Sequence, residues 1–226
     1  MARGTLTYFS SQNIPAGHIV TVPFRNKKIL ALVLAAEDLR QAKGDVKGMN
    51  FNLKKIAADR GGSAFSREFL ESAVEVSQYF ALGRNSAIAF LLPNVFLEAY
   101  DKFAQVAGEQ TELASTAANN LRSEKLLFQY PLPDRISIYK TSVREAFARG
   151  QSIFLVLPTE ADIAKFSTLL GKGIEQFTFT FHSNFSAKKN IKNLEKLAAA
   201  LHPVLILGTP PFLAIPYKNI GTIILD

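Results

Sequence analysis

Gly17-His18-Ile19-Val20-Thr21-Val22-Pro23-Phe24-Arg25-Asn26-Lys27-Lys28-Ile29-Leu30-Ala31-Leu32-Val33-Leu34 reads as two short strands joined by a turn. Ile19, Thr21 and the Val20/Val22 pair give β-branched alternation, and Ile29 to Leu34 is a second apolar run. Pro23 brings no N–H to a ladder, so the first strand ends there or lies at an edge. Arg25, Lys27 and Lys28 put three cations on the turn. A small β unit offering cations from a loop suits phosphate. On this stretch alone, a solvated charged turn is the simpler reading.

Around the hairpin, Thr5 to Phe9 alternate enough for a first strand, and Ser10 to Pro15 is a loop. Glu37 to Gly48 is a polar, flexible connection, and Phe51 to Ala57 carries Lys54 and Lys55 on a further strand. Several short strands within about sixty residues suggest a small barrel-like unit. A helix is expected next, with Ser66 as N-cap and Phe65 stapled onto Leu70. Its apolar face runs through Phe69, Leu70, Ala73, Val76, Tyr79 and Phe80, and Gly83 ends it. Ala87 to Leu92 is a second apolar segment, stopped by Pro93.

Charge divides the chain. Residues 1–60 hold ten Lys/Arg against four Asp/Glu, a net of +6, and the other 166 residues hold sixteen against fifteen. Nearly all of the net +7 therefore lies in the first quarter, as suits a module that grips a polyanion. The 226 residues, 48% apolar, suffice for one large domain or two modest ones. Cysteine is absent, which excludes disulfides, thiolate metal sites and cysteine nucleophiles. No apolar run reaches the ~18 residues of a membrane span. Met1 to Thr5 form no apolar signal core, so the expected compartment is the cytoplasm, with no membrane partner.

The second half changes character. Residues 94–123 are rich in Ala, Gln, Asn, Thr and Glu and read as a helical linker. Leu126 to Phe128 reads as a short strand, Pro131 to Asp134 as a loop, and Ile138 to Arg149 as a helix closed by Gly150. Strands at 152–157, 177–181, 204–207 and 222–226 then alternate with helices at 160–170 and 187–201. Such alternation predicts an α/β fold with a parallel sheet covered on both faces, whose ligands bind at the carboxyl ends of strands.

In that order the residues support a family comparison. Leu6-Thr7-Tyr8-Phe9, Pro15, Gly17, Val20-x-Val22-Pro23-Phe24 and Leu53-Lys54 resemble the N-terminal three-prime-end DNA-binding domain of the PriA family of primosomal replication-restart helicases. The helix from Phe65, Leu82-Gly83 and Leu91-Leu92-Pro93 continue the likeness. Gly150-Gln151-Ser152, Leu157-Pro158, His182-Ser183 with Ser186, Gly208-Thr209 and the run from Pro216 to Asp226 resemble the first RecA-like lobe of the same helicases. The resemblance implies three parts. Residues 1–93 form the DNA-binding-like β-rich domain, 94–123 a helical linker standing where a winged helix is expected, and 124–226 a partial RecA-like lobe.

Departures from the pattern shape the functional expectation. The family has a Gly-x-x-Gly-x-Gly-Lys-Thr phosphate loop where this chain has Gln129-Tyr130-Pro131-Leu132-Pro133-Asp134-Arg135-Ile136. A phosphate cradle needs free backbone N–H groups, a lysine and a hydroxyl for magnesium. Two prolines remove donors, Asp134 repels phosphate, Ile136 has no hydroxyl, and Arg135 alone keeps a cation. Asp226 falls where the family's magnesium-associated motif begins; the catalytic Glu, second lobe and zinc region have no counterpart in the sequence. His18, His182 and His202 are isolated, so neither a metal nor a cofactor is expected. Lys188, Lys189, Lys192 and Lys196 make a basic helical face.

The resemblance further implies that Leu6, Thr7, Arg25 and Lys54 stand where the family lines its pocket for a DNA three-prime end. An aromatic is usual at Leu6, Asp at Thr7 and a small residue at Arg25. Tyr8 or Phe24 then become candidates for a base platform. Arg25, Lys27, Lys28, Lys54 and Lys55 are the expected phosphate contacts. The function expected is DNA binding at forks or free three-prime ends in replication restart, alongside other primosome proteins and without independent ATP hydrolysis. The alternatives are the N-terminal part of an ATP-dependent helicase, and a non-catalytic protein-interaction module.

Overall fold

The computed structural model describes residues 6–38, 53–61, 67–93, 95, 99–106, 124–215, 217 and 219–226. The expected Ser66 cap, the Phe65 staple and most of the 37–48 connection and the 94–123 linker lie outside them. The chain divides into two compact units, Met1–Phe90 and Leu91–Asp226.

The first unit is built on the hairpin. Strand β1 is Tyr8–Phe9, β2 Ile19–Phe24, β3 Lys27–Leu32, β4 Lys54–Lys55 and β5 Ala58–Asp59. β2 pairs antiparallel with β3 from Ile19↔Leu32 to Phe24↔Lys27, so the turn is only Arg25-Asn26 and Lys27 and Lys28 belong to the strand. β5 pairs with β2 at Val20 and Thr21 alone, so Pro23, opposite Lys28 on β3, has no partner on the β5 side, where its missing N–H costs nothing. β1 pairs parallel with β4, Tyr8 opposite Lys54. The described strands form a three-stranded sheet, β3-β2-β5, and a two-stranded one, β1-β4. Ile14, Val20 and Val22 make the core, packed by Tyr8, Ile29, Ala31, Val33 and Ile56.

Helix α1 spans Arg67–Tyr79 and α2 Arg84–Leu91. Ala73 and Ser77 are the buried positions of α1, whereas Tyr79 is 84% exposed and Phe80 is exposed too. The expected apolar face therefore stops a turn early. Nor does Gly83 close the helix. Ala81 takes φ 50 and donates to the Gln78 carbonyl (3.3 Å), while Leu82 donates to that of Ser77 (2.8 Å). That is a Schellman end with alanine in the left-handed position that glycine usually fills.

Among the described residues the second unit holds a four-stranded sheet whose pairings are all parallel. Helix α3 is Leu132–Ala148, β6 Ser152–Val156, α4 Glu160–Gly171, β7 Thr178–Phe181, α5 Ala187–Ala198, β8 Leu205–Gly208 and β9 Ile220–Leu225. The order is β7-β8-β6-β9. β6 and β8 are buried throughout, as a sheet covered on both faces demands. Tyr139, Val143 and Ala146 of α3 and Ile163, Phe166 and Leu170 of α4 pack on Ile153, Leu155, Leu205 and Leu207. On the opposite face, Phe181 meets Phe212, and Tyr217 meets both Phe154 and Phe181.

Two expectations fail here. Leu126 to Phe128 is no strand: residues 124–131 have no regular structure, and Leu127 is 98% exposed. The helix expected from Ile138 begins at Leu132, so the loop expected at 131–134 is the start of α3. Proline explains the early helix start. Pro131 sits at the N-cap and Pro133 in the first turn, where a fixed φ near −65° is already helical and a missing N–H costs nothing. α5 also ends at Ala198, short of Leu201.

Candidate nucleic-acid interface

In the first unit, chain order and pairing gather two groups of sequence-selected residues. Leu6 and Thr7 are exposed and run directly into β1, beside Lys54 and Lys55. Ile56 then donates to the Phe9 carbonyl (2.9 Å), Ala57 to that of Thr21 (2.8 Å) and Arg60 to that of Ile19 (3.0 Å). Residues 54–60 thus join β1 to the hairpin. The second group is the hairpin end. Arg25 holds φ 51, a left-handed conformation that costs a side chain about 1–2 kcal/mol. Its guanidinium lies 5.5 Å from the Phe24 ring centroid. Phe24 and Lys27 are cross-strand partners and share a face with each other, while Lys28 points to the opposite one.

Both aromatic candidates have other work. The Tyr8 hydroxyl donates to the Pro23 carbonyl (3.1 Å), and its ring packs on the Ile14 cluster. Arg25 stands over Phe24. By contrast, Arg25, Lys27, Lys28, Lys54 and Lys55 are all exposed, and among the described residues no carboxylate pairs with any of them. His18 Nδ1 lies 3.1 Å from the Asp59 carboxylate.

In the second unit the carboxyl ends of the strands form one row, with Phe181, Gly208, Val156 and Leu225 in register. A Cβ at Gly208 would meet the Phe154 ring at 3.0 Å, so the ring would have to give way. His182 follows β7 and is buried; its Nδ1 lies 3.7 Å from Glu160 and has no hydrogen-bond partner. Burial pushes its pKa below the usual value, against the pull of Glu160. His202 lies against Phe177 instead, so the two histidines of this unit have different neighbours.

Asp226 follows β9 and is held rather than free. Its Oδ1 accepts from the Tyr139 hydroxyl at 2.6 Å and pairs with the Arg135 guanidinium. Burial, with the Asp226 carboxylate as acceptor, pushes the Tyr139 phenol up to about 12. Asp134, Arg135 and Ile136 therefore lie in the opening turns of α3, not in a loop. Arg135 and Tyr139, four residues apart on that helix, reach the same carboxylate. Tyr139 was not a sequence candidate. Its spacing from Arg135 was the signal, but the contact closes over 87 residues.

These residues do not fit a magnesium nucleotide. Pro131 and Pro133 bring no N–H, and the N–H groups of Asp134 and Arg135 already donate to the Pro131 carbonyl at 3.1 and 3.0 Å. Arg135, the cation of that stretch, is committed to Asp226. Among the described residues, no three His, Asp or Glu side chains are grouped to hold a metal ion.

No family model matches the chain. It is similar, however, to the replication restart protein PriA of Helicobacter pylori, at 25% identity over 226 residues in strains 26695 and J99 alike. Those matches take in 98% of this chain and 34% of each relative. The PriA of Rickettsia conorii is 24% identical over 222 residues, 93% of this chain and 33% of that protein. The resemblance read from the motifs is thus borne out along almost the whole sequence. The chain spans about a third of the length of the curated relatives it matches.

Proposed function

We propose that this chain binds DNA in replication restart, with the first unit gripping phosphate and without ATP hydrolysis of its own. The observation that carries the reading is the set of five exposed cations, Arg25, Lys27, Lys28, Lys54 and Lys55, none paired with a carboxylate among the described residues. Cations left free on a small β unit, in the quarter of the chain that holds +6 of the +7, suit a phosphate backbone. The similarity to proteins named for replication restart supports the same direction.

In this reading residues 1–93 act as a β-rich module resembling a barrel, 94–123 link it, and 124–226 form a partial RecA-like lobe. The partners are forked DNA or a free three-prime end and other primosome proteins, in the cytoplasm. In this reading Leu6 and Thr7, leading into β1, and Lys54, opposite Tyr8 on β4, line the place for a strand end. Thr7 offers a hydroxyl where a carboxylate is usual, so end recognition is weaker than in the family. The lobe serves as spacer or docking surface, since Arg135 and Asp226 occupy each other.

Anisotropy of labelled forked DNA tests the grip. Replacing Lys54 and Lys55 by Gln should weaken binding and make the dependence of log K on log salt shallower by about 1.4–1.8, at 0.7–0.9 per phosphate contact. An unchanged affinity and slope would remove β4 from the interface. Calorimetric titration with magnesium ATP addresses the lobe: no heat is expected, and micromolar binding overturns this account of the sheet edge.

A further inference from the structure

Helix α5 concentrates positive charge on a region that otherwise balances. Residues 61–226 carry sixteen Lys/Arg against fifteen Asp/Glu, yet α5 alone has Lys188, Lys189, Lys192 and Lys196 against Glu195. Asn190, Ile191, Leu194 and Leu197 are its buried residues, which fixes the helix's rotation and turns all four lysines outward. Among the described residues none of the four has a carboxylate partner. Lys189 lies over the Phe185 ring instead, 3.2 Å from its centroid.

The spacing is regular. Lys188, Lys192 and Lys196 follow at intervals of four residues, about 6 Å along the axis at 1.5 Å per residue. Like charges at that spacing repel and destabilise a helix. Lys189 and Lys196 also flank a groove beside β7, the outer strand of the sheet, with Thr178, Thr180 and Asn193 along it and Glu175 as its one carboxylate among the described residues. Asn193 Nδ2 donates to the Thr180 carbonyl (3.0 Å), so the groove wall is fixed.

We propose that the lysine face of α5 is a second DNA-backbone contact, separate from the five cations of the first unit. It rests on the DNA reading above and extends it to the second unit. Evenly spaced cations that repel one another suit a partner whose charge also repeats evenly and regardless of sequence, which is a phosphodiester backbone. Binding neutralises the row and relieves the repulsion, and the fixed groove guides the strand along β7.

The test uses the full chain and labelled forked DNA, with anisotropy measured over a range of salt. Replacing Lys188, Lys192 and Lys196 together by Gln should make the slope of log K against log salt shallower by about 2 or more. Affinity at low salt should fall at least tenfold, with the far-UV circular dichroism unchanged. The loss should add to that from Lys54 and Lys55. A wild-type slope in the triple variant overturns the proposal, and so does retained DNA binding with loss of affinity for a polyglutamate probe, which would assign the face to an acidic protein. If wild type binds and only the β4 variants weaken it, the first-unit reading stands and this one falls. If wild type does not bind DNA, both fall.

Discussion

Replacing Tyr139 by Phe removes one oxygen from the contact that closes the sheet edge. The ring stays packed against Phe166, 6.0 Å between centroids, so no cavity opens. What is lost is the 2.6 Å hydrogen bond to Asp226, whose side chain is 12% exposed and keeps only Arg135. A hydrogen bond to a charged group contributes about 1.5–3 kcal/mol, so a loss of about 2 kcal/mol is expected. With a urea m-value of about 2 kcal/mol/M, the midpoint moves down by about 1 M at constant m. The pH dependence carries the sign. The folded phenol titrates near 12 against 10.0 in the free residue, chiefly through burial and next through Asp226. Its contribution is whole below pH 10 and is lost as pH rises through about 12. Wild type and variant should therefore differ at pH 8 and converge between pH 10 and 12. Equal midpoints at pH 8, or a difference that persists undiminished to pH 12, would refute the reasoning.

Other expectations follow from single contacts. Arg25→Asn accepts the positive φ more readily, so stability should hold or rise by up to about 1 kcal/mol while the DNA salt slope loses about 0.7–0.9; a loss of both in unfolding and binding titrations contradicts this. Gly150 takes φ 70 with nothing within 4 Å of a built Cβ, so Gly150→Ala should cost only the backbone conformation, about 1–2 kcal/mol in urea unfolding. At Gly208 the Phe154 ring stands 3.0 Å away, and Gly208→Ala should cost about 1–3 kcal/mol by overpacking. The depressed pKa of His182 makes the fold lose stability as pH falls through its ordinary 6.5, because the unfolded chain takes the proton more readily. Unfolding midpoints of His182→Phe should be flatter with pH across that range.

Periodicity revealed the elements whose side chains face a core. The hairpin was legible because β-branched residues alternate up to Pro23, and the parallel sheet because buried runs such as Ser152–Val156 alternate with helices. Leu126 to Phe128 misled because a short apolar run looks the same whether it is buried or exposed. The start of α3 is hidden because Pro131 to Asp134 reads as a loop, although proline favours the first turn of a helix. Tyr79 and Phe80 show the limit of helical spacing, since the end of α1 and the turn after it leave them in solvent. The cations of the candidate interface could be named from sequence, but not that Lys27 and Lys28 face opposite ways. The Arg135–Asp226 pair was invisible because its partners are 91 residues apart.

The claim on which the rest depends is that free cations in the first unit hold a DNA backbone. The direct measurement is anisotropy of a fluorescent forked DNA with the wild-type chain, from low to physiological salt. The account predicts tight binding at low salt and a log–log slope of about −3.5 to −4.5, from five cations at 0.7–0.9 each. Absence of binding at low salt, or an affinity indifferent to salt, would contradict it.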